Sequence, residues 1–182
     1  TEKGTVEDFI IQELQKVGWK YVAPKDMVLK RGENLEEPLV AEDLRNTLRK
    51  LNPDVKFSDA DLDFVGVSLR AVPANLEGIR RFLDIFRNGL VVPIQKENKE
   101  RLVKLADLGN IENNEFVVTN QFRVEGSKGS IRADIVLLVN GIPLVLIECK
   151  NPTEERVDWT DAYRQIKRYE RETPELFKYV QI

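Results

Sequence analysis

At 182 residues, with 42% apolar and 32% charged side chains, the chain has the length and composition of one sizeable globular domain. A formal charge of −3 does not advertise a polyanion partner, so any nucleic-acid contact has to come from a local patch. Histidine is absent and Cys149 is the single cysteine, which excludes His-based general bases, His- or thiolate-ligated zinc and an internal disulfide, and leaves catalysis to carboxylates, lysine and a hard metal.

The start, "TEKGTVEDF", lacks the basic and apolar stretches of a secretion signal, and no apolar window is long enough to span a membrane; a cytoplasmic protein is expected. Residues 5–17 read as a helix capped by Thr5 with Asp8 reaching back, with Val6, Phe9, Ile10, Leu14 and Val17 on its apolar face and Gly18 at its end. Glu7 and Glu13 both intrude on that face, and periodicity does not choose between them. A short strand is expected to follow by about residue 22. The middle of the chain predicts helices at about 39–50, 59–70 and 75–88, punctuated by Pro38, Pro53 and Pro73 and stopped by Gly89. This stretch, 35–89, reads as a helical insertion without chemistry of its own.

From residue 90 the pattern changes to short β-branched runs: "LVVPIQK", "RLVKLAD", "EFVVTNQFRV", "IRADIVLLV" and "IPLVLIECK", which predict a sheet. "EGSKGS" at 125–130 lacks the spacing of a phosphate-binding loop, so ATP hydrolysis by that route is not expected. A helix at about 158–171 follows, and "FKYVQI" reads as a final strand cut off at the end of the chain, which suggests a fragment of a longer polypeptide. The fold class is therefore α/β in the α+β sense: a mixed sheet flanked by helices, with residues 1–182 as a single domain.

The run "IECKNP" carries the chemistry. Strand alternation puts Leu146, Glu148 and Lys150 on one face and Val145, Ile147 and Cys149 on the other. The preceding strand carries Asp134, and Asn140-Gly141 turns between the two. An odd loop, for example Asn140 to Ile142, sets Asp134 opposite Glu148 on one face, whereas a two-residue turn sets them on opposite faces; an odd loop is predicted. Two carboxylates at cross-strand distance repel unless a cation lies between them, and Mg²⁺ suits an oxygen-only site. Lys150 beside that ion can orient or help deprotonate an attacking water. The plain alternative is an edge strand whose Glu148 and Lys150 are solvated while Asp134 caps a turn.

On the next helix Gln165 and Tyr169 stand four apart on one face, with Ala162 as a small residue at a close approach. Arg164, Lys167, Arg168 and Arg171 give the same helix a basic surface able to hold a phosphate backbone. Ordinary ion pairs with Asp161, Glu170 and Glu172 are the competing reading.

Asp134, Glu148-Cys149-Lys150 and Gln165-x-x-x-Tyr169, in that order, resemble the PD-(D/E)xK nuclease superfamily in its form with a QxxxY helix. More narrowly, "VEDFIIQELQKVGW", "ENNEFVVTNQFRVEG", "RADIVLLVNGIPLVLIECKNP" and "AYRQIKRY" resemble the N-terminal endonuclease region of the restriction (R, or motor) subunit of type I restriction-modification enzymes. The resemblance implies a restriction-endonuclease-like core in which Asp134 and Glu148 bind Mg²⁺, Lys150 is catalytic, and Gln165 and Tyr169 support the site and position the DNA backbone. It selects Glu7 over Glu13 as the acid of the first helix, by its distance from Gly18-Trp19. Ala133 departs from the proline of the superfamily name. The implied partners are double-stranded DNA and the methyltransferase and specificity subunits, with ATP used by domains outside this chain. A stand-alone repair or junction-resolving nuclease of the same superfamily, and a catalytically idle docking module, are the alternatives.

Overall fold

A computed structural model describes residues 2–149 and 159–181. Helix α1 spans Glu2–Lys16 and is followed by the short strand β1, Lys20–Tyr21. Four helices follow: α2 (Pro24–Lys30), α3 (Ala41–Leu51), α4 (Asp59–Arg70) and α5 (Leu76–Asn88). Strands β2 (Leu90–Ile94), β3 (Lys99–Val103), β4 (Phe116–Gly126), β5 (Gly129–Val139) and β6 (Ile142–Ile147) precede α6 (Trp159–Glu172) and α7 (Pro174–Phe177). Among the described residues no helix is long and apolar enough to cross a membrane.

The strands divide between two sheets. A mixed sheet has the order β1-β4-β5-β6, with β1 parallel to β4 and the other pairs antiparallel, while β2 and β3 form a separate ribbon. That ribbon belongs to the helical part: Val92, Ile94 and Val103 are buried with Leu48, Leu62, Leu69 and Phe82. The mixed sheet is covered on one face by α1, where Ile11 meets Val118, Ile135 and Leu137. On the other face, Met27 of α2, Tyr169 of α6 and Leu176 of α7 close over Val117, Val136, Leu138 and Leu146.

Three sequence expectations are corrected. Helix α1 begins at Glu2, so Thr5 lies inside it rather than at its cap. Of its expected apolar face, Val6, Ile10 and Leu14 pack against the sheet core beside Ile11, and Glu7 is buried with them, whereas Phe9 and Val17 are 61% and 74% exposed and do not join it. Residues 177–181 do not form a last strand, and Ile182 lies outside the described residues. Pro174 starts the short helix α7, and Lys178 then donates to the carbonyls of Arg70 (2.6 Å) and Val72 (3.1 Å) at the end of α4. Helix α2, opened by Pro24, was not expected from periodicity; at seven residues it offers too short a window.

The third correction concerns the hairpin. Val139 pairs with Ile142, so the loop is the two-residue Asn140-Gly141 turn, with φ of +56° and +78°, and not an odd one. Asn140 is fully buried yet satisfied: its amide donates to Leu105 O (2.8 Å) and Asn114 Oδ1 (2.9 Å), and its oxygen accepts from Glu115 N (2.8 Å). A Cβ on Gly141 would stand 2.6 Å from Val40 O, where α3 seats on the turn. The register then slips within the strand. Leu138 pairs with Pro143 but Leu137 with Val145, so Leu144 is an extra residue in β6. The bulge lies on an edge strand, where Pro143 costs no ladder bond, and the carbonyl of Leu144 accepts from Gln181 N at 2.8 Å.

Candidate active site

The bulge shifts the pairing of β5 with β6 by one residue. Beyond it Ile135 pairs with Ile147, so the next pair in the same register is Asp134 with Glu148. Cys149 N donates to Asp134 Oδ2 at 2.9 Å, which holds the two strands together just past the last ladder pair. Asp134 is only 3% exposed. Glu148 shares the face of Leu146, and α6 lies over that face.

Helix α6 reaches Glu148 through Gln165. Its amide nitrogen is 2.6 Å from Glu148 Oε2 and 2.6 Å from the Tyr169 hydroxyl oxygen, and that hydroxyl donates to Arg132 O at 3.0 Å. The chain Arg132 carbonyl, Tyr169, Gln165, Glu148 is thus a continuous relay in which every donor has an acceptor. Burial, with the negative potential of Glu148 and Asp134 added, pushes the Tyr169 phenol above its usual range against the opposing bond from Gln165. Tyr169 therefore remains a neutral donor and fixes which way the Gln165 amide points.

A second network approaches Asp134 from α1. Glu7 is 4% exposed, and both its oxygens accept from Gln121 Nε2 at 2.9 and 3.0 Å. The same nitrogen lies 3.5 Å from Asp134 Oδ1, and Asn120 Nδ2 reaches Glu7 Oε2 at 3.3 Å. Tyr21 of β1 completes the network by donating to Asn120 Oδ1 at 3.0 Å. Glu13, by contrast, is at the surface with Lys16.

Gln121 stands at an irregularity in the sheet. Its φ is +50°, a conformation glycine and asparagine favour, and side-chain parity changes there in both strands. Val117 shares a cluster with Phe122 and Val124, as Val136 and Leu138 do with Ile131 and Ala133, although the pairing register of β4 with β5 is continuous. Strict alternation, the basis of the sequence reading, could not find this. The available signal was a polar Asn-Gln pair inside an otherwise buried β-branched run.

Glu7, Asp134, Glu148, Gln165 and Tyr169 are therefore gathered through two hydrogen-bonded networks, whereas Lys150 lies outside the described residues. Arg164, Lys167 and Arg168 are on the outer side of α6, each beside an acid of its own helix: Asp161 at 3.1 Å, Glu170 at 2.6 Å and Glu172 at 3.8 Å. Arg168 also lies over the Tyr169 ring, 5.1 Å from its centroid. Tyr21, Asn120 and Gln121 were missed as site residues.

The family whose model matches this chain, over residues 1–182, is described as "Type I restriction enzyme R protein N terminus". The chain is 34% identical over 183 residues to the type I restriction enzyme HindI endonuclease subunit of Haemophilus influenzae, covering 97% of this chain and 17% of the relative. It is 31% identical over 180 residues to the putative type I restriction enzyme MjaVIIIP endonuclease subunit of Methanocaldococcus jannaschii, with the same coverage. Against the type I restriction enzyme EcoprrI endonuclease subunit of Escherichia coli the identity is 29%, covering 99% of this chain and 54% of the relative. The chain thus spans about a sixth of the length of the first two relatives.

Proposed function

Because the chain belongs to the type I restriction enzyme R protein N-terminus family, we propose that it is the cutting domain of such an enzyme: a Mg²⁺-dependent endonuclease of the PD-(D/E)xK kind that hydrolyses phosphodiester bonds of double-stranded DNA. The observation that supports this reading is the hairpin that brings Asp134 and Glu148 to neighbouring strand positions, with Cys149 N donating to Asp134 and Gln165 of α6 donating to Glu148. The methyltransferase and specificity subunits and the ATPase lobes are assigned to the rest of the assembly.

The donor set fits Mg²⁺ in its chemistry: two carboxylates, hard oxygen donors, and no competing imidazole. Among the described residues no three or more His, Cys, Asp or Glu side chains converge as a cage, so the protein's share of the coordination would be Asp134 and Glu148, with water making up the remainder. Bound there, Mg²⁺ supplies Lewis-acid stabilisation of a phosphoryl oxygen and a more acidic water.

The side chains have separable tasks. The Cys149 amide takes one oxygen of Asp134, which orients the other toward Gln121 and the site. Gln165 holds Glu148 in one rotamer, and Tyr169 holds Gln165. Lys150 is assigned the orientation and deprotonation of the attacking water and the offset of charge on the phosphate. Glu7 is assigned to the support of Asp134 through Gln121.

The test is cleavage of a circular plasmid by the assembled enzyme with Mg²⁺ and ATP, comparing wild type with Lys150→Ala. Cleavage should be lost, by a factor of about 10² or more, while ATP consumption is unchanged. Equal cutting by the variant would reduce "IECK" to a strand end and make the domain a docking module.

A further inference from the structure

Arg123 and Arg132 are directly paired across β4 and β5, and both side chains are exposed. Like charges directly opposite on adjacent strands are unfavourable, and a fold gains nothing by keeping them there. Among the described residues neither has an ion pair, unlike Arg164, Lys167 and Arg168 on α6. Arg123 and Arg132 line one wall of a surface cleft of about 420 Å³ whose other residues include Lys25, Leu29, Glu33 and Gln121. Three cations against one carboxylate make the cleft positive within an acidic protein.

The cleft adjoins Asp134 through one side chain. Gln121, which lines it, is the residue whose amide meets Glu7 and Asp134. Arg132 precedes Asp134 by two residues on β5, about 7 Å along a strand. The wall is also rigid. Arg31, buried beneath, donates to the Arg123 carbonyl at 2.6 Å, to Leu35 O at 3.0 Å and to Glu37 O at 2.7 Å, and stacks 4.3 Å from the Phe122 ring centroid.

We propose that Arg123 and Arg132, with Lys25 across the cleft, form the subsite that grips the phosphodiester backbone of DNA next to the carboxylates. The pair is kept at a cost in stability because its partner is a phosphate on the substrate, and Arg can bridge phosphate oxygens with two parallel N–H bonds. Arg164, Lys167 and Arg168 on α6, each already beside an acid of its own helix, are left a secondary role. The inference rests on the endonuclease reading above.

Its test uses the assembled enzyme with Arg123→Gln, Arg132→Gln and the double variant, alongside Asp134→Ala. Each single change should lower plasmid cleavage by roughly ten-fold and flatten the log–log salt dependence of cutting by about one unit. ATP consumption should be kept, and thermal unfolding of the intact subunit should be unchanged or shifted upward as the repulsion is relieved. Arg132→Lys should restore part of the activity. Full cleavage by the double variant, with Asp134→Ala inactive, would overturn the subsite while leaving the endonuclease reading intact. If Asp134→Ala also cuts, both fail. A lowered melting temperature would make the pair structural, and a parallel loss of ATP consumption would make the cleft a docking surface for another part of the enzyme; either result overturns the proposal.

Discussion

At position 121 the backbone would be better served by glycine or asparagine, since glutamine is not among the residues that tolerate φ near +50°. The side chain is therefore the reason for the residue: its amide reaches both Glu7 and Asp134. Gln121→Gly removes the strain but strips a buried carboxylate of two hydrogen bonds, and the second effect is larger. We expect a net loss of about 1–2 kcal/mol in chemical denaturation, against a gain if the backbone alone mattered. Gln121→Asn, which suits the backbone and keeps the amide one methylene short, should fall between. At this scale the motif picked out residues that the structure ties together by hydrogen bonds, Glu148 with Gln165 and Gln165 with Tyr169. The sequence was silent on Gln121 because a dihedral angle and a bond spanning more than a hundred residues leave no periodic trace.

Elements were legible in proportion to their length. The helices at 41–51, 59–70 and 76–88 match their expected ranges because amphipathic stripes of three turns are unambiguous, and Ser58 and Asn75 cap the last two. The hairpin was read with the wrong turn. Asn-Gly makes the two-residue turn that its chemistry favours, and the bulge at Leu144 shifts the pairing by one residue before Ile135 meets Ile147. The ribbon β2–β3 was assigned to the main sheet because strand signals do not reveal which strands pair. It is fastened to the helices by Glu97, which accepts from Lys56 N at 3.0 Å and Arg101 Nε at 2.8 Å. Those bonds hold the Glu97 carboxyl down to about 2, from an ordinary 4.5. A folded pKa below the unfolded one adds stability above about pH 4.5 that is lost as pH falls toward 2. Glu97→Gln should therefore melt lower than wild type at pH 7, and the two melting curves should converge between pH 4.5 and 2; a constant offset across that window would deny the linkage.

For the whole molecule the question is whether the helical part and the nuclease-like sheet share one core. Their seam is the segment after α7. Tyr179 is fully buried, packs edge-on to Phe82 with ring centroids 5.2 Å apart and donates to Leu69 O at 3.0 Å, while Gln181 N meets the carbonyl of the bulged Leu144. Ile142 of β6 is buried in the same cluster as the helices, so the hairpin carrying Asp134 toward Glu148 is wedged between the two parts. Tyr179→Phe should cost only about 1 kcal/mol, since Leu69 O also accepts from Val72 N. Tyr179→Ala opens the seam and should cost about 3–5 kcal/mol, read by calorimetry of the 182-residue chain. If the parts share a core, that loss lowers one cooperative transition, and Asp134 and Glu148 lose their register at the same temperature as the helices melt. Two transitions, with only the helical one lowered, would instead mean that the helices are an independent passenger and that the sheet alone holds the carboxylates together.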